Sequence, residues 1–428
     1  MTDTIFAVSS GAVPSAIAVL RVSGPGAFAA VARLAGTLPP PRHAGLRAIR
    51  GADGALIDRA VVLTFSGPAS VTGEDIAEIH LHGGRAVVAA VSGALRDMTG
   101  LRDAEPGEFT RRALEAGRID LTEAEGLADL LAAETEGQRR AAMRAADGTL
   151  RRRIEAWSAR AVALSALVEA AIDHDDEDDV GDAAALLARV ARDADDLARE
   201  IAMLLDQPPV ERLRDGIRVV LAGPPNSGKS TLLNAMVGRD AAIVSPIAGT
   251  TRDRIEAPVV RGGIAWLFTD TAGLAVETDD VIEAVGIARA QASIAEADIL
   301  LWLGDAAPPR ADALAVHARV DVAGREITPE GRIAASGVRP GGEAALWTAL
   351  EHRAATLLPT ADVPALNARQ RELCRGAASN LRDAAEASDP LLVAEDLRSA
   401  RRAFDRLTGR ADTEAVLDAL FAGFCIGK

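Results

Sequence analysis

Residues 217–233 read IRVVLAGPPNSGKSTLL, a β-branched apolar run that breaks into a glycine- and proline-rich turn and resumes as a helix former. Gly223, Gly228, Lys229 and Ser230 satisfy G-x-x-x-x-G-K-[ST] in the strand-turn-helix context that the pattern requires. In such a turn the backbone N–H groups and the helix N-terminus point at phosphate oxygens, the lysine reaches the β and γ phosphates, and the hydroxyl binds Mg²⁺. The stretch therefore predicts an α/β unit holding a nucleoside triphosphate.

Two downstream segments extend that reading. GIAWLFTDTAG, residues 263–273, is a second apolar strand that delivers Asp270 to the same sheet edge, where a carboxylate holds the Mg²⁺ shell and Gly273 senses a γ-phosphate. Between them lies GTTRD, residues 249–253, whose Thr251 completes the metal shell. GTPases usually read guanine with N-K-x-D, the Asp carboxylate accepting hydrogen bonds from guanine N1 and N2. Here that place reads ARVD: Asp321 is present, but Ala318 and Arg319 replace the Asn and Lys, so the loop-bracing amide is gone. Asp321 is read as the guanine acceptor or, more plainly, as a turn residue. SGVRPGG from Ser336 is an imperfect version of the usual S-A-K.

Working outward, residues 1–115 mix short β-like runs with turn clusters and read as an α+β domain. Helical texture fills 116–212, with Thr122 and Glu125 spaced as a capping box; the α/β unit occupies 213–362, and helix returns over 363–428. The economical arrangement is a multidomain chain: an α+β N-terminal domain, an all-α domain built from two segments, and an α/β phosphate-loop domain inserted into it. The acidic run DHDDEDD, residues 173–179, lacks the glycine and spacing of a calcium loop and reads as a solvated inter-helix loop.

The chain has 428 residues, 49% hydrophobic and 25% charged, with a formal charge of −15. That charge excludes coating nucleic acid by phosphate neutralisation alone. Apolar runs are too short or interrupted to span a bilayer. The opening MTDTIFAVSSGAVPS lacks the features of a secretory signal, and the cysteines are Cys374 and Cys425 alone, which points to a reducing cytoplasm.

Taken in order, RVSGP, SVTGEDIAEIHLHGG, EPGEFTRRA, RIDLTEAE, GPPNSGKSTLLN, GTTRD, DTAGL and the terminal FCIGK resemble the MnmE (TrmE) family of tRNA-modification GTPases over the whole chain. The resemblance implies nucleotide contacts at Asn226, Ser227, Gly228, Lys229, Ser230 and Thr231. It adds Ser245, Pro246, Ile247, Ala248, Gly249, Thr250 and Thr251, then Asp270, Thr271, Ala272 and Gly273, with Asp321 and Ser336 at the base. It also implies a K⁺ ion held by Asn226, Ser245, Ile247 and Thr250, where Asn226 would otherwise be a turn former. Leu274 stands where other GTPases place a water-orienting Gln, and the resemblance gives that role to Glu283, with Asp280 the alternative one loop position away.

The same resemblance makes the first domain folate-binding-like, with a methylene- or formyl-tetrahydrofolate held by Arg21, Glu78, Arg118 and Lys428. Alternation sets Ile17, Val19 and Arg21 on one face, so that Arg21 interrupts an apolar stripe and needs an acceptor, and groups Ile76, Glu78 and His80. Internal salt bridges are the bland alternative for the charged four. His80 and His82 show no third ligand, and Cys425 is either a small buried hydrophobe or a reactive thiol. The family further implies a homodimer and an FAD-containing partner, MnmG (GidA), acting with it on the wobble uridine of tRNA. The rival is an Era- or Der-type ribosome-assembly GTPase, disfavoured because neither a KH-like GXXG module nor a second phosphate loop follows.

Overall fold

The structure, a computed structural model, describes residues 3–173, 180–238, 256–270, 291–360, 363–411 and 414–427. Its residues group into two units: Met1–Ala128 with Ala145–Ala156 and Phe404–Lys428, and Asp129–Arg144 with Trp157–Ala403. No helix among the described residues is long and apolar enough to cross a membrane.

In the first unit the strands are β1 (Thr4–Val8), β2 (Ile17–Ser23), β3 (Gly45–Arg50), β4 (Leu56–Phe65), β5 (Ile76–His82) and β6 (Leu101–Asp103), with burial alternating along β2, β4 and β5 and nearly continuous along β1. They form one sheet in the order β3-β4-β5-β2-β1-β6, antiparallel except for the β1–β6 edge pair. Ala18, Leu20 and Val22 of β2 and Ala77, Ile79 and Leu81 of β5 bury in one core with residues of α1 (Ala27–Ala35) and α2 (Arg85–Arg96). Arg21 does share a face with Ile17 and Val19, the face that α1 and α2 do not cover: it is open at Ile17, 58% exposed, but Phe109 lies over the Arg21 guanidinium at 5.6 Å. α1 and α2 cover the alternate residues, so Arg21 lies outside that larger core, and it finds the acceptor it needs in Glu78.

On the Arg21 face, α3 (Glu108–Glu115) carries the buried Arg112, whose guanidinium donates to Asp3 Oδ1 (3.0 Å), Glu74 Oε2 (3.1 Å) and Glu108 Oε1 (2.9 Å). A buried guanidinium is tolerable only with such compensation. α4 (Leu121–Ala132) starts two residues earlier than Thr122 and Glu125 suggest. The capping box is Asp120 with Glu123: the Glu123 N–H donates to Asp120 Oδ1 (2.9 Å) and the Asp120 N–H to Glu123 Oε2 (2.7 Å). Thr122 is fully buried inside the helix and gives its hydroxyl to the Asp120 carboxylate. Asp caps as well as Thr, so the cap falls at the first acceptor preceding the apolar run.

Helices α5 (Glu136–Ala146), α6 (Thr149–Asp173) and α7 (Val180–Leu205) follow, and residues 174–179 of the acidic run lie outside the described residues. In the second unit α7 packs on the helix Ala368–Glu386, burying Leu197, Ile201 and Leu204 from one and Cys374, Ala378 and Leu381 from the other at helical spacing. Arg371 donates to the carbonyls of Leu205 and Gln207, satisfying acceptors that the end of α7 leaves open.

After the single turn α8 (Glu211–Arg214), the second sheet is built from β7 (Ile217–Ala222), β8 (Glu256–Arg261), β9 (Ile264–Asp270), β10 (Ile299–Trp302), β11 (Leu314–Ala318) and β12 (Ile333–Ala335). Its order is β12-β11-β10-β7-β9-β8, with only β8 antiparallel. Val219 and Leu221 face one core cluster and Val220 and Ala222 another, which explains the unbroken apolar run of a strand covered on both faces. The chain leaves β7 toward β9 on one side and reaches β10 on the other. That reversal opens a crevice at the C-terminal end of β7.

Candidate functional site

The crevice is filled by the phosphate-loop sequence, which leads from β7 into α9 (Lys229–Val237). Gly228, the residue before α9, has φ +94°, a left-handed conformation open to glycine, and a Cβ there would come within 3.1 Å of Arg319 Cγ. Lys229 is 6% exposed, and its ammonium donates to the carbonyls of Gly223 (2.9 Å) and Pro224 (3.0 Å). Burial pushes its pKa down, and attraction to Asp270 offsets part of that shift. The Ser227 hydroxyl is buried with no hydrogen-bond partner among the described residues. A cation held only by carbonyls and an orphaned hydroxyl at a helix N-terminus suit an incoming phosphate.

β9 runs parallel to β7 and brings Asp270 level with Leu221. There the Ser230 hydroxyl donates to Asp270 Oδ2. A hydroxyl and a carboxylate in contact are hard oxygen donors of the kind that, with nucleotide phosphates, hold Mg²⁺. The residues present therefore fit that ion.

A cavity of about 510 Å³ adjoins the loop, lined among others by Asn226, Gly228, Thr231, Arg319, Asp321 and Val338. Ser336 donates to Asp321 Oδ1 (2.6 Å) and accepts from the N–H groups of Val338 (3.2 Å) and Arg339 (3.0 Å). The Ser336 hydroxyl thereby holds the Asp321 carboxyl below its ordinary range, keeping it an acceptor suited to paired N–H donors. The departure from S-A-K also has a steric cause. A Cβ at Gly337 would lie 2.6 Å from the Thr231 carbonyl oxygen, so alanine does not fit.

Sequence reasoning registered Arg319 only as a missing lysine. It adopts φ +63° and donates to the Asn226 carbonyl (2.9 Å), tying the base loop to the phosphate loop. Arg325 and Arg332, which brace the neighbouring turns, left no signal in the motif. Ser245, Pro246, Ile247, Ala248, Gly249, Thr250, Thr251, Thr271, Ala272, Gly273, Asp280, Glu283 and Lys428 lie outside the described residues.

In the first unit Arg21 and Glu78 sit directly opposite on β2 and β5 and form an ion pair at 2.9 Å. Glu78 also meets His80 Nε2 at 3.3 Å, while His82 pairs with Asp58 at 2.7 Å. No group of three metal-ligating side chains occurs among the described residues. Arg118 is exposed. Cys374 is buried, whereas the Cys425 thiol is exposed and so is not a buried hydrophobe. Next to it Ile426 makes an antiparallel bridge to Pro106.

Comparison with known proteins covers both units. The family model described as MnmE helical domain matches residues 121–425, and that described as GTP-binding protein TrmE N-terminus matches residues 4–118. The tRNA modification GTPase MnmE of Rhizorhabdus wittichii is 54% identical over 431 residues, spanning 100% of this chain and 97% of its own length. Those of Erythrobacter litoralis and Novosphingobium aromaticivorans are 51% and 50% identical, each over 100% of both chains. By these matches the chain belongs to the MnmE family of tRNA modification GTPases.

Proposed function

We propose that the chain is a K⁺-stimulated, Mg²⁺-dependent GTPase whose hydrolysis cycle drives modification of tRNA at C5 of the wobble uridine, position 34. The product is a carboxymethylaminomethyl or aminomethyl uridine. The observation that carries the GTPase reading is the convergence of Lys229, Ser230 and Asp270 at one end of β7, beside the cavity that Asp321 borders.

In this reading the phosphate-loop amides and Lys229 bind the β and γ phosphates, and Asp321 with Ser336 orients guanine. Ser230, Asp270 and Thr251 would hold Mg²⁺, and Asn226, Ser245, Ile247 and Thr250 would hold K⁺. When bound, the two ions supply positive charge where negative charge develops between the phosphates. Glu283, with Asp280 as the alternative, orients the attacking water that Leu274 is unable to polarise.

The one-carbon unit comes from 5,10-methylene- or 5-formyl-tetrahydrofolate in a folate-binding-like first domain. The ion pair of Arg21 and Glu78 supports this: a carboxylate suits the N–H edge of a pterin and a cation suits folate carboxylates. Arg118 and Lys428 complete the contacts, and Cys425 is the candidate thiol. The phosphate-loop domain is inserted in the helical one, the protein works as a cytoplasmic homodimer, and an FAD-containing MnmG (GidA) partner completes the active complex with tRNA.

Mass spectrometry of wobble nucleosides from cells lacking the chain tests this. The modified uridines should vanish, and their persistence at normal levels overturns the proposal.

A further inference from the structure

The ARVD loop lacks the asparagine amide that usually braces the base-reading segment, yet Asp321 stands in a closed, hydrogen-bonded turn. The Val322 N–H donates to the Arg319 carbonyl and the Arg325 N–H to the Val322 carbonyl, both at 3.0 Å. From the end of that turn the Arg325 side chain folds back onto the residue in the asparagine's place. Its Nε donates to the Ala318 carbonyl at 3.0 Å, and its two terminal nitrogens grip Asp305 at 3.1 and 3.0 Å. One of them also meets His317 Nδ1 at 3.3 Å, and His317 Nε2 closes the ring on the Arg325 carbonyl at 3.0 Å.

All three guanidinium nitrogens are thus engaged. An isolated exposed ion pair would contribute little. Here the anchor is itself fixed, because Arg332 donates to the carbonyls of Gly304 (2.6 Å) and Asp305 (2.7 Å). Ala318 is the last residue of β11 and pairs with Ala335, the residue before Ser336, so holding its carbonyl fixes where both base-facing segments leave the sheet.

We infer that Arg325 is the positioning residue for base recognition, a guanidinium fork that replaces the missing asparagine amide and aims Asp321 at the guanine N1 and N2 donors. The inference rests on the guanine reading of Asp321 proposed above. A planar fork with three donors reaches a backbone carbonyl and a carboxylate together, which a lysine is unable to do.

The test is competition of GDP, IDP and ADP against a fluorescent N-methylanthraniloyl GDP on the full chain. Inosine lacks the exocyclic amine, so the GDP-to-IDP affinity ratio reports how well Asp321 is aimed. Arg325→Ala should weaken GDP about tenfold and IDP less, pulling the ratio toward one, with the kinetic cost falling on KM for GTP more than on kcat. Arg325→Lys should not restore the ratio. Asp305→Asn, which loosens the fork while leaving Arg325 itself in place, should lower the ratio in the same direction and decides the matter if Arg325→Ala fails to fold. A wild-type ratio in these variants, or equal losses of GDP and IDP, overturns the inference alone. A wild-type protein that prefers GDP no more than ADP overturns the guanine reading and this inference with it.

Discussion

In the first unit Arg112 and Arg21 meet carboxylates of their own chain, whereas in the second Lys229 meets two backbone carbonyls and the buried Ser227 hydroxyl meets no partner among the described residues. The contrast separates two uses of charge. Both terminal nitrogens of Arg112 are engaged by the fold, leaving only its buried Nε without a hydrogen-bond partner among the described residues, so its removal costs stability. Lys229 is satisfied only by groups that a phosphate can replace, so its removal costs chemistry. Arg21 stands between them, half-buried beside the Phe109 ring with a single carboxylate partner that a ligand can also use.

The largest effect should come from the least satisfied group. Lys229→Ala or Asp270→Ala should lower GTP hydrolysis by about 10³-fold in a phosphate-release assay while leaving the fold intact by circular dichroism. Near-normal turnover in either variant would erase the contrast. Next in size, exchanging K⁺ for Na⁺ should slow hydrolysis by about tenfold, and Asn226→Ala should remove that difference. Cation-independent rates in the wild type would return Asn226 to the role of a turn former.

How much of this was legible follows the same division. The phosphate loop is readable because its chemistry is local: glycine for a left-handed backbone, lysine and serine at a helix start, each fixed by neighbours in sequence. β7 was legible for a similar reason, since a strand covered on both faces becomes an unbroken apolar run. The cap of α4 was misplaced by two residues because Thr122 matches the capping template as well as Asp120, and only burial distinguishes them. The face of β2 was misjudged because alternation alone does not say which side the helices cover. Arg325 was invisible because its value depends on Asp305 and Ala318, brought together by the sheet rather than by the chain.

A third experiment sharpens the stability half of the comparison. Arg112→Ala removes the shared partner of Asp3, Glu74 and Glu108 and should destabilise the first unit by about 3 kcal/mol. All four tryptophans, Trp157, Trp266, Trp302 and Trp347, belong to the second unit, Trp157 at its boundary, so tryptophan fluorescence reports mainly on the second. Thermal unfolding followed by circular dichroism should therefore show an early transition that fluorescence largely misses, and coincident transitions would contradict it. The pH dependence has a definite sign. Burial raises the Glu108 and Asp3 carboxyls, but hydrogen bonds from Arg102 and its neighbours outweigh it and leave both below their ordinary values of 4.5 and 3.8. Depressed carboxyls contribute stability that is fully present above those values and is lost as pH falls through the folded ones. The early transition should accordingly drop further below about pH 4.5 in the wild type than in Arg112→Ala.

The smallest effect is expected at the intermediate case. Glu78→Gln keeps the shape of the side chain and one acceptor, but it loses the charge that matches paired pterin N–H donors and frees Arg21 from its partner. Those changes oppose each other for a ligand carrying both a pterin and carboxylates, because a freed Arg21 is a better partner for a carboxylate. The net loss in 5-formyl-tetrahydrofolate affinity should then be only about fivefold, measurable by calorimetry. Arg21→Ala should cost as much or more, since it removes the cation and leaves Glu78 with His80 alone. If both substitutions lower the melting temperature but leave folate affinity unchanged, Arg21 and Glu78 form an internal bridge of the Arg112 kind, and the division between satisfied and available charge runs between the two units with no exception.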